Sequence, residues 1–381
     1  MVKNLDLSES ASGFPHAMLA EIFQQPHALR DTLAYYLRDK SLSGEAFAAA
    51  HSALLGHERL VIAASGSSRH AGLAGEIMLE DLAGVSVDVE YASEYTYRST
   101  HTLQDPCTIV ISQSGETADT LAALREARGR GLKTIAITNN PSSAMAREAD
   151  ASMPTLAGKE RAIPATKSFT TQLAVLYLLT VFAARMRGRT TTRVTELYLE
   201  QLIRLPDLLE QAIRRLRSEV ATIAERLRET ETFLFLGRGI HYAIAREGAL
   251  KLKESSYMQA EGYPAGELKH GPNALVSGNA ALVVLATYDR NDPDSTLRHS
   301  KILQLLRDLK KQGADTLTIA TEADDEVAEL SSDCIFVPAC SEYLLPICEV
   351  VPLQLLAYSI AILRGIDVDN PRNLVKAVVS E

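Results

Sequence analysis

Short runs of apolar and β-branched residues alternate with helix-forming segments in two parts of this chain, and this alternation constrains the fold more than any other feature. The apolar runs are 60–64, 85–89, 108–112 and 133–138 in the first part, and 232–236, 281–286 and 316–320 in the second. Strands that alternate with helices form parallel sheets, and continuous apolar strands are covered on both faces. The sequence therefore predicts an α/β fold with two tandem units, each a three-layer α/β/α sandwich around a parallel sheet.

The other segments complete the expected domain organisation. We expect a helical lead over 1–50, the first α/β unit over 51–192, a helical bridge over 193–229, the second unit over 230–365 and a tail over 366–381. Leucines recur at helical spacing in the bridge, and Pro206 predicts a pair of helices interrupted near that residue. The apolar run 173–184 is too short to span a bilayer and is typical of a buried helix, so we expect no membrane segment.

Charge and cysteine content limit the classes of partner. With 48 acidic and 39 basic residues the net charge is −9, so we expect neither nucleic acid nor an anionic membrane as a partner. An anionic substrate must then be held by local groups. The cysteines form no C-x-x-C pair and the chain shows no metal-ligand spacing, so we expect reduced thiols in a cytoplasmic protein without metal or organic cofactor. The cysteines are Cys107, Cys334, Cys340 and Cys348.

The strand–loop–helix segment 108–120 carries the strongest binding signal. Its loop holds Ser112, Ser114 and Thr117, whose hydroxyls, with the free backbone N–H groups of a helix start, suit a phosphate. The alternative is an ordinary helix cap by Ser114 or Thr117, and the segment alone does not decide between the two. The matching segment of the second unit, 287–292, has no Ser/Gly loop. We therefore expect phosphate binding in the first unit only.

Three further elements are candidates for proton chemistry. Lys251 and Glu254 lie three residues apart in a predicted helix and project from one face, although a solvated ion pair explains this spacing better from sequence alone. His270 lies in a Gly/Pro loop, where its imidazole is exposed and in most proteins idle. Lys376 lies between apolar residues of the tail, where desolvation makes a lysine nucleophilic toward a carbonyl, unless its amine simply reaches water.

Taken together, six segments resemble the double-SIS (sugar isomerase) half of the glutamine:fructose-6-phosphate aminotransferases, the glucosamine-6-phosphate synthases. The segments are 92–95, 112–117, 165–173, 248–254, 266–272 and 370–376. The resemblance extends from residue 18 to residue 381. It implies two tandem SIS domains, each a Rossmann-like three-layer sandwich.

The resemblance also implies roles for individual residues. Glu254 would move a proton between C1 and C2 of the sugar, His270 would open the sugar ring, and Lys376 would form an imine with the open ketose. The residues that would bind phosphate and sugar are Ser67, Ser68, Ser112, Gln113, Ser114, Thr117, Lys251 and Arg372. In this family the histidine comes from a neighbouring subunit, so the resemblance implies a homodimer with a shared active site.

Elementary chemistry agrees with two of these roles. Interconversion of an aldose and a ketose needs one base that reaches two adjacent carbons, and a carboxylate on a rigid helix, such as that of Glu254, can do so. Ring opening needs a group that titrates near neutral pH, which suits His270.

Two features depart from the synthase pattern. The synthases carry an N-terminal glutaminase half with a cysteine nucleophile, whereas this sequence begins Met1-Val2-Lys3-Asn4 and reaches the isomerase segments almost at once. We therefore expect that it does not take nitrogen from glutamine. Ala165 replaces a residue that usually carries a hydroxyl, and loss of that donor would change binding by about 1–2 kcal/mol.

The pattern is most similar to the stand-alone SIS-type glucosamine-6-phosphate deaminases. The expected reaction converts glucosamine 6-phosphate to fructose 6-phosphate and ammonia. One alternative is a deglycase or isomerase of another amino-sugar 6-phosphate. Another is a non-enzymatic sugar-phosphate sensor, although such proteins typically carry a DNA-binding helix-turn-helix or lack the catalytic residues. A truncated synthase is a further alternative.

Overall fold

A computed structural model describes residues 13–97, 105–276 and 278–378. The α-helices are α1 Ala17–Phe23, α2 Gln25–Tyr36, α3 Gly44–Leu54, α4 Gly66–Met78, α5 Ala92–Tyr95, α6 Ala118–Gly129, α7 Ala144–Glu148, α8 Lys167–Met186, α9 Thr192–Leu227, α10 Ile240–Ser256, α11 Pro293–Lys311, α12 Asp325–Leu330 and α13 Leu345–Leu363. The strands are β1 Leu37–Arg38, β2 Ser41–Leu42, β3 Arg59–Ala64, β4 Ser86–Tyr91, β5 Cys107–Ser112, β6 Thr134–Thr138, β7 Ala151–Pro154, β8 Thr232–Gly237, β9 Gln259–Pro264, β10 Ala280–Ala286, β11 Asp315–Thr321 and β12 Asp333–Val337.

Two five-stranded parallel sheets form the centres of the two α/β units. Their strand orders are β4-β3-β5-β6-β7 and β9-β8-β10-β11-β12, and every neighbouring pair within them is parallel. Strands β5, β6 and β10 are buried at every residue, because helices cover both faces of a parallel sheet. The predicted pair of α/β sandwiches with parallel sheets is confirmed.

Sequence patterning missed the short pair β1 and β2 and, within the two large sheets, three strands that lie at sheet edges, β7, β9 and β12. Strand β9 has the sequence QAEGYP and only one fully buried residue, so it has neither an apolar run nor a clear alternation. It becomes a strand because its backbone continues the ladder of β8, with Gln259 opposite Thr232 and Pro264 opposite Gly237. Edge strands of this kind depend on a neighbour rather than on their own side chains.

The helical bridge is one helix, so the predicted interruption near Pro206 is wrong. Helix α9 runs for 36 residues with Pro206 inside it. A proline costs one backbone hydrogen bond. Here the loss is offset because the apolar face is buried on both sides of the proline, including Leu202, Leu205, Leu209 and Ile213.

Two helices form much of the apolar interior between the sheets. Helix α8 and the segment Glu342–Leu363 are long and apolar enough to cross a membrane by length and composition alone, and 83% and 89% of their most apolar windows are buried inside the fold. Burial of α8 confirms the prediction for the run 173–184. Helix α10 packs against both α13 and α4 and so joins the two units.

A buried ionic cluster holds the start of α10 beside α13. The two ring nitrogens of His241 lie 3.1 Å from Glu342 Oε1 and 2.7 Å from Glu349 Oε1. Burial by itself would lower the pKa of His241, but the charges of Glu349 and Glu342 more than offset this and raise the pKa to about 10. The imidazole is therefore cationic at neutral pH.

We expect His241→Gln to lower the free energy of unfolding, by an amount that shrinks as the pH rises. A group with a raised native pKa stabilises the fold fully below its unfolded pKa, and this contribution is lost as the pH passes its native pKa. For His241 the window extends from 6.5 to about 10. Urea unfolding across this range would measure the difference, with His27→Gln, an exposed histidine, as the control. A difference that stays constant with pH would contradict the expectation.

Candidate active site

A cleft of about 300 Å³ lies where the carboxyl ends of β3 and β5 meet the starts of α4 and α6. This edge of a parallel sheet is the usual ligand site of α/β proteins. The last turns of α10 and the tail after α13 complete its walls. The polar side chains that line it are those of Ser65, Ser67, Ser68, Ser112, Gln113, Thr117, Thr120, Lys251, Glu254 and Lys376.

The loop between β5 and α6 presents a group of hydroxyls to this cleft. Ser112 Oγ lies 2.8 Å from Thr117 Oγ1 and 3.4 Å from Ser114 Oγ. Thr117 is the N-cap residue of α6 but its side chain makes no capping hydrogen bond, so the alternative of an ordinary side-chain cap by Thr117 does not hold. Thr120 Oγ1 is buried and has no hydrogen-bond partner in the part of the chain that the structure describes. An oxyanion is the kind of ligand that would satisfy such donors.

Backbone amides of the same loop are less free than the sequence predicted. The N–H groups of Gly115 and Glu116 each donate to a hydroxyl of the loop at 3.1 Å, and the N–H of Ala118 donates to Val378 O in the tail at 2.9 Å. Gly115 has a φ of +67°, and a Cβ there would lie 2.1 Å from Ser143 Oγ. These three amides are therefore already engaged, and a glycine is required to shape the loop.

Helix α10 contributes a lysine that bridges two carboxylates. Lys251 Nζ lies 2.5 Å from Glu254 Oε2 and 3.4 Å from Glu247 Oε1, because residues three and four apart share a helix face. Ser67 Oγ donates to Glu247 Oε1 at 2.8 Å and accepts from Lys251 Nζ at 3.1 Å. His70 Nδ1 lies 2.8 Å from the other oxygen of Glu247. The first turn of α4 is thus connected to the acidic and basic groups of α10.

Burial decides the character of this cluster. The side chain of Lys251 is 1% exposed and that of Glu254 is 22% exposed, so the pair is not a solvated surface ion pair. Burial favours the neutral amine, but the charges of Glu254 and Glu247 more than offset it and raise the pKa of Lys251 above its ordinary value. Lys251 is therefore a permanent cation. Glu254 is the member of the cluster that reaches the cleft as a carboxylate.

The tail brings Lys376 to the opposite wall of the cleft. Its Nζ lies 2.5 Å from Glu160 Oε2 and donates to Ala162 O at 2.7 Å. Burial alone would raise the pKa of Glu160, but the charge of Lys376 and hydrogen bonds from Lys376 and Ser168 hold it below its ordinary value. The lysine is thus held beside the cleft by a buried carboxylate rather than extended into water.

Three of the residues predicted for the site do not line the cleft in this chain. His270 is exposed in a 3-10 helix, Ala265–His270, and does not line the cleft. Arg372 is exposed, and its guanidinium lies 4.2 Å from the centre of the Tyr257 ring. Ser114 does not line the cleft, but its hydroxyl contacts the hydroxyls of Ser112 and Thr117, which do. The other predicted site residues are brought together.

Sequence reasoning missed Glu247, His70, Glu160 and Thr120. Glu247 lies one turn before Lys251, so helical spacing alone was a signal for it. Glu160 lies in an irregular segment and contacts Lys376 from 216 positions away. A contact of that kind exists only in the folded chain.

We expect Ser112→Ala combined with Thr117→Ala to raise KM for a sugar phosphate by at least about tenfold, because hydrogen bonds to a charged group contribute about 1.5–3 kcal/mol each. The value of kcat should change much less, since neither hydroxyl takes part in proton transfer. Steady-state kinetics would measure both. The matched control is Ser218→Ala with Thr222→Ala on α9, where both side chains are exposed. An unchanged KM in the loop variant would show that the phosphate binds elsewhere.

Comparison with known proteins adds independent findings. The SIS domain family model matches residues 53–182 and 226–364. Glutamine--fructose-6-phosphate aminotransferases are similar over 97% of this chain: that of Chlorobaculum tepidum is 41% identical over 374 residues, and that of Thermus thermophilus is 42% identical over 369 residues. The chain spans 59% of the length of each of these relatives.

Solved structures give a consistent result. The C-terminal domain of glucosamine-fructose-6-phosphate aminotransferase from Francisella tularensis is 36% identical, with a TM-score of 0.89 over 96% of this chain and 100% of that domain. A glucosamine-6-phosphate deaminase from Thermotoga maritima is 22% identical, with a TM-score of 0.69 over 95% of this chain and 99% of its own. The second likeness shows a common fold alone.

Proposed function

Because this chain belongs to the SIS domain family, we propose that it is an enzyme of amino-sugar phosphate metabolism that converts glucosamine 6-phosphate and water to fructose 6-phosphate and ammonia. The coarser part of this statement, a phosphosugar isomerase site, rests on homology over 97% of the chain to the aminotransferases. The deaminase reaction is the finer proposal. The observation that carries it is the position of the Glu254 carboxylate, which Lys251 holds at the cleft. The loop between β5 and α6 that bears Ser112 and Thr117, here called the hydroxyl loop, lines the same cleft.

The proposed reaction has three stages. Ring opening moves a proton from the C1 hydroxyl to the ring oxygen and gives the open aldose. Glu254 then takes the proton from C2 and returns it to C1, while one proton of the amine passes to the C1 oxygen, which converts the 2-amino aldose into a C2 imine of the ketose. Water adds to this imine, and the C2–N bond breaks to release ammonia. Lys251 stays protonated throughout and holds Glu254 by charge.

Phosphate anchoring gives the proton transfer its precision. With the 6-phosphate bound by Ser112, Thr117 and Thr120, C1 and C2 lie at the far end of the open chain. Positioning of a reacting group in this way converts binding energy into rate. The same arrangement suits the alternative reaction, isomerisation or deglycation of another amino-sugar 6-phosphate. The side chain of Ala165 in the cleft wall, where a hydroxyl would otherwise bind the sugar, is the observation that favours this second candidate.

The decisive experiment measures ammonia and fructose 6-phosphate from purified protein incubated with glucosamine 6-phosphate. We expect both products in equal amounts. The matched control substrate is N-acetylglucosamine 6-phosphate, whose amide nitrogen does not leave by this route. If the protein binds sugar phosphate but releases neither product, the deaminase proposal is wrong. A panel of other amino-sugar 6-phosphates would then separate the second candidate from a sensor without turnover.

For Lys376 we propose the role implied by the resemblance, imine formation with the open ketose. Borohydride reduction in the presence of fructose 6-phosphate should leave a covalent adduct on Lys376, which peptide mass spectrometry would locate. Lys376→Arg keeps the positive charge and should abolish the adduct. Absence of an adduct in the wild type would restrict Lys376 to a role as a charged group, because hydrolysis of the substrate imine needs no enzyme-bound imine.

We further propose a homodimer in which His270 of one subunit completes the cleft of the other, in a cytoplasmic setting. Exposure of His270 outside its own cleft supports this arrangement. Mixing two inactive variants, Glu254→Gln and His270→Ala, should restore part of the activity, because some mixed dimers would contain one intact site. No recovery after subunit exchange would argue against a shared site.

A further inference from the structure

A second cavity, of about 390 Å³, lies beside the candidate active site. Gly66 lines both cavities, so the first turn of α4 separates them. On the side of the active site this turn presents Ser67 and Ser68. On the other side it presents Arg69 and His70, which face α10, the end of edge strand β4 and the middle of edge strand β9. We call this space the arginine cavity.

Arg69 is incompletely hydrogen-bonded in the arginine cavity. Its guanidinium lies 3.8 Å from the centre of the Tyr91 ring, and its Nη2 donates to Val89 O at a long 3.4 Å. The Nε and Nη1 atoms are buried and have no hydrogen-bond partner among the described residues. Buried N–H donors of a cation are costly to leave unpaired, so these atoms are suited to an acceptor that enters the cavity.

A second guanidinium shares the same tyrosine. Arg246 donates from Nη2 to Tyr91 OH and from Nη1 to Tyr242 OH, each at 3.1 Å. These hydroxyl partners are neutral, so they leave the positive charge uncompensated. Burial lowers the pKa of Arg69 below its ordinary value, and the nearby charge of Arg246 acts in the same direction against the opposing effect of Tyr91. Two like charges are thus held close together.

The remaining charged groups of the cavity wall do not neutralise this pair. Lys253 adds a third cation at the exposed rim. Among the described residues that line the cavity, Glu261 carries the one carboxylate, and it accepts from the Tyr263 hydroxyl and from Gln259 Nε2. The lining therefore carries three cations and one acid, an excess of two positive charges, and the charge of Glu76, behind the lining, acts on Arg69 as well.

We propose that the arginine cavity binds a small phosphorylated metabolite, with its phosphate between Arg69 and Arg246. A phosphate dianion matches the excess charge, and paired guanidiniums bind phosphate oxygens in a fixed fork geometry. The volume of the cavity falls within the range of small-molecule sites. It leaves room for a body larger than the phosphate itself.

A ligand in the arginine cavity would affect the electrostatics of the active site through two contacts. His70 lines the arginine cavity and lies 2.8 Å from Glu247 Oε2, and Glu247 Oε1 lies 3.4 Å from Lys251 Nζ. An anion beside His70 therefore changes the electrostatic environment of the cluster that holds Glu254. This effect on turnover rests on the function proposed above, whereas binding of the ligand does not.

The test uses a background in which phosphate binding at the catalytic cleft is weakened, the Ser112→Ala/Thr117→Ala variant of this chain. Calorimetric titration with inorganic phosphate should find one site per chain whose Kd these two substitutions leave unchanged. Addition of either Arg69→Gln or Arg246→Gln should raise the Kd at least tenfold. Arg214→Gln, which removes one exposed charge from α9, should leave it unchanged. Two separate arginine variants guard against loss of folding in one of them.

Several outcomes would overturn the proposal. The first is that the background protein does not bind phosphate. The second is that Arg246→Gln and Arg214→Gln give the same Kd for phosphate. The third is that the Arg69 and Arg246 variants lose subunit association but keep phosphate binding. The last would assign the cavity to an interface between copies of the chain. Glucose 6-phosphate should bind at least as tightly as inorganic phosphate, and weaker binding would exclude a phosphorylated metabolite. Ammonia release by the wild type tests the proposed function separately.

Discussion

Glu254→Gln should lower kcat for glucosamine 6-phosphate by about 10²–10⁴-fold, the usual contribution of a positioned general base. The amide keeps the size of the side chain, and its oxygen still accepts from Lys251, which lies 2.5 Å from the carboxylate in the native chain. It cannot take a proton from C2. Affinity for the sugar phosphate should stay close to that of the wild type, because the hydroxyl loop is unchanged.

A direct readout for this variant is hydrogen exchange with solvent. In D₂O the wild type should introduce deuterium at C1 of fructose 6-phosphate, and Glu254→Gln should lose this exchange together with turnover. The control is Glu200→Gln, which neutralises an exposed carboxylate of α9. If Glu254→Gln still exchanges deuterium at the wild-type rate, Glu254 is not the base, whatever its effect on kcat.

Lys251→Met should be the most destabilising single substitution in the site, with a loss of about 3–5 kcal/mol in the free energy of unfolding. The side chain is 1% exposed and separates the carboxylate of Glu254 from that of Glu247, which has no exposed surface. Removal of the cation leaves Glu247 buried without its lysine partner. Burial alone would raise the pKa of Glu247, but Lys251 and His70 now hold that pKa below its ordinary value.

Urea unfolding would measure this loss of stability. Two further variants serve as a control and as a test of its cause. Lys301→Met removes an exposed lysine of α11 and should change stability by no more than about 0.5 kcal/mol. Adding Glu247→Gln to Lys251→Met should recover part of the loss, because it removes the uncompensated charge. Equal stability of Lys251→Met and the wild type would mean that the ion pair contributes nothing to the fold.

The part of the site that is local in sequence was predictable from sequence. The residue types within one short segment were enough to indicate the chemistry of Ser112, Thr117, Lys251 and Glu254. What could not be predicted is whether these side chains are buried or exposed to solvent. From sequence alone a solvated pair explains the spacing of Lys251 and Glu254 better than a buried one. Only the packing of α10 against α4 and α13 decides that the lysine is inaccessible.

The sequence by itself determined the two α/β units, the central strands and the hydroxyl-rich loop between β5 and α6, because these follow from local periodicity and from the residue types of one turn. The tertiary structure alone decided the edge strand β9, which depends on the ladder of β8, and the continuity of α9 through Pro206. It also decided the contact of Lys376 with Glu160 across 216 positions. The physical reason is common to all three: burial and pairing with distant segments override weak local preferences.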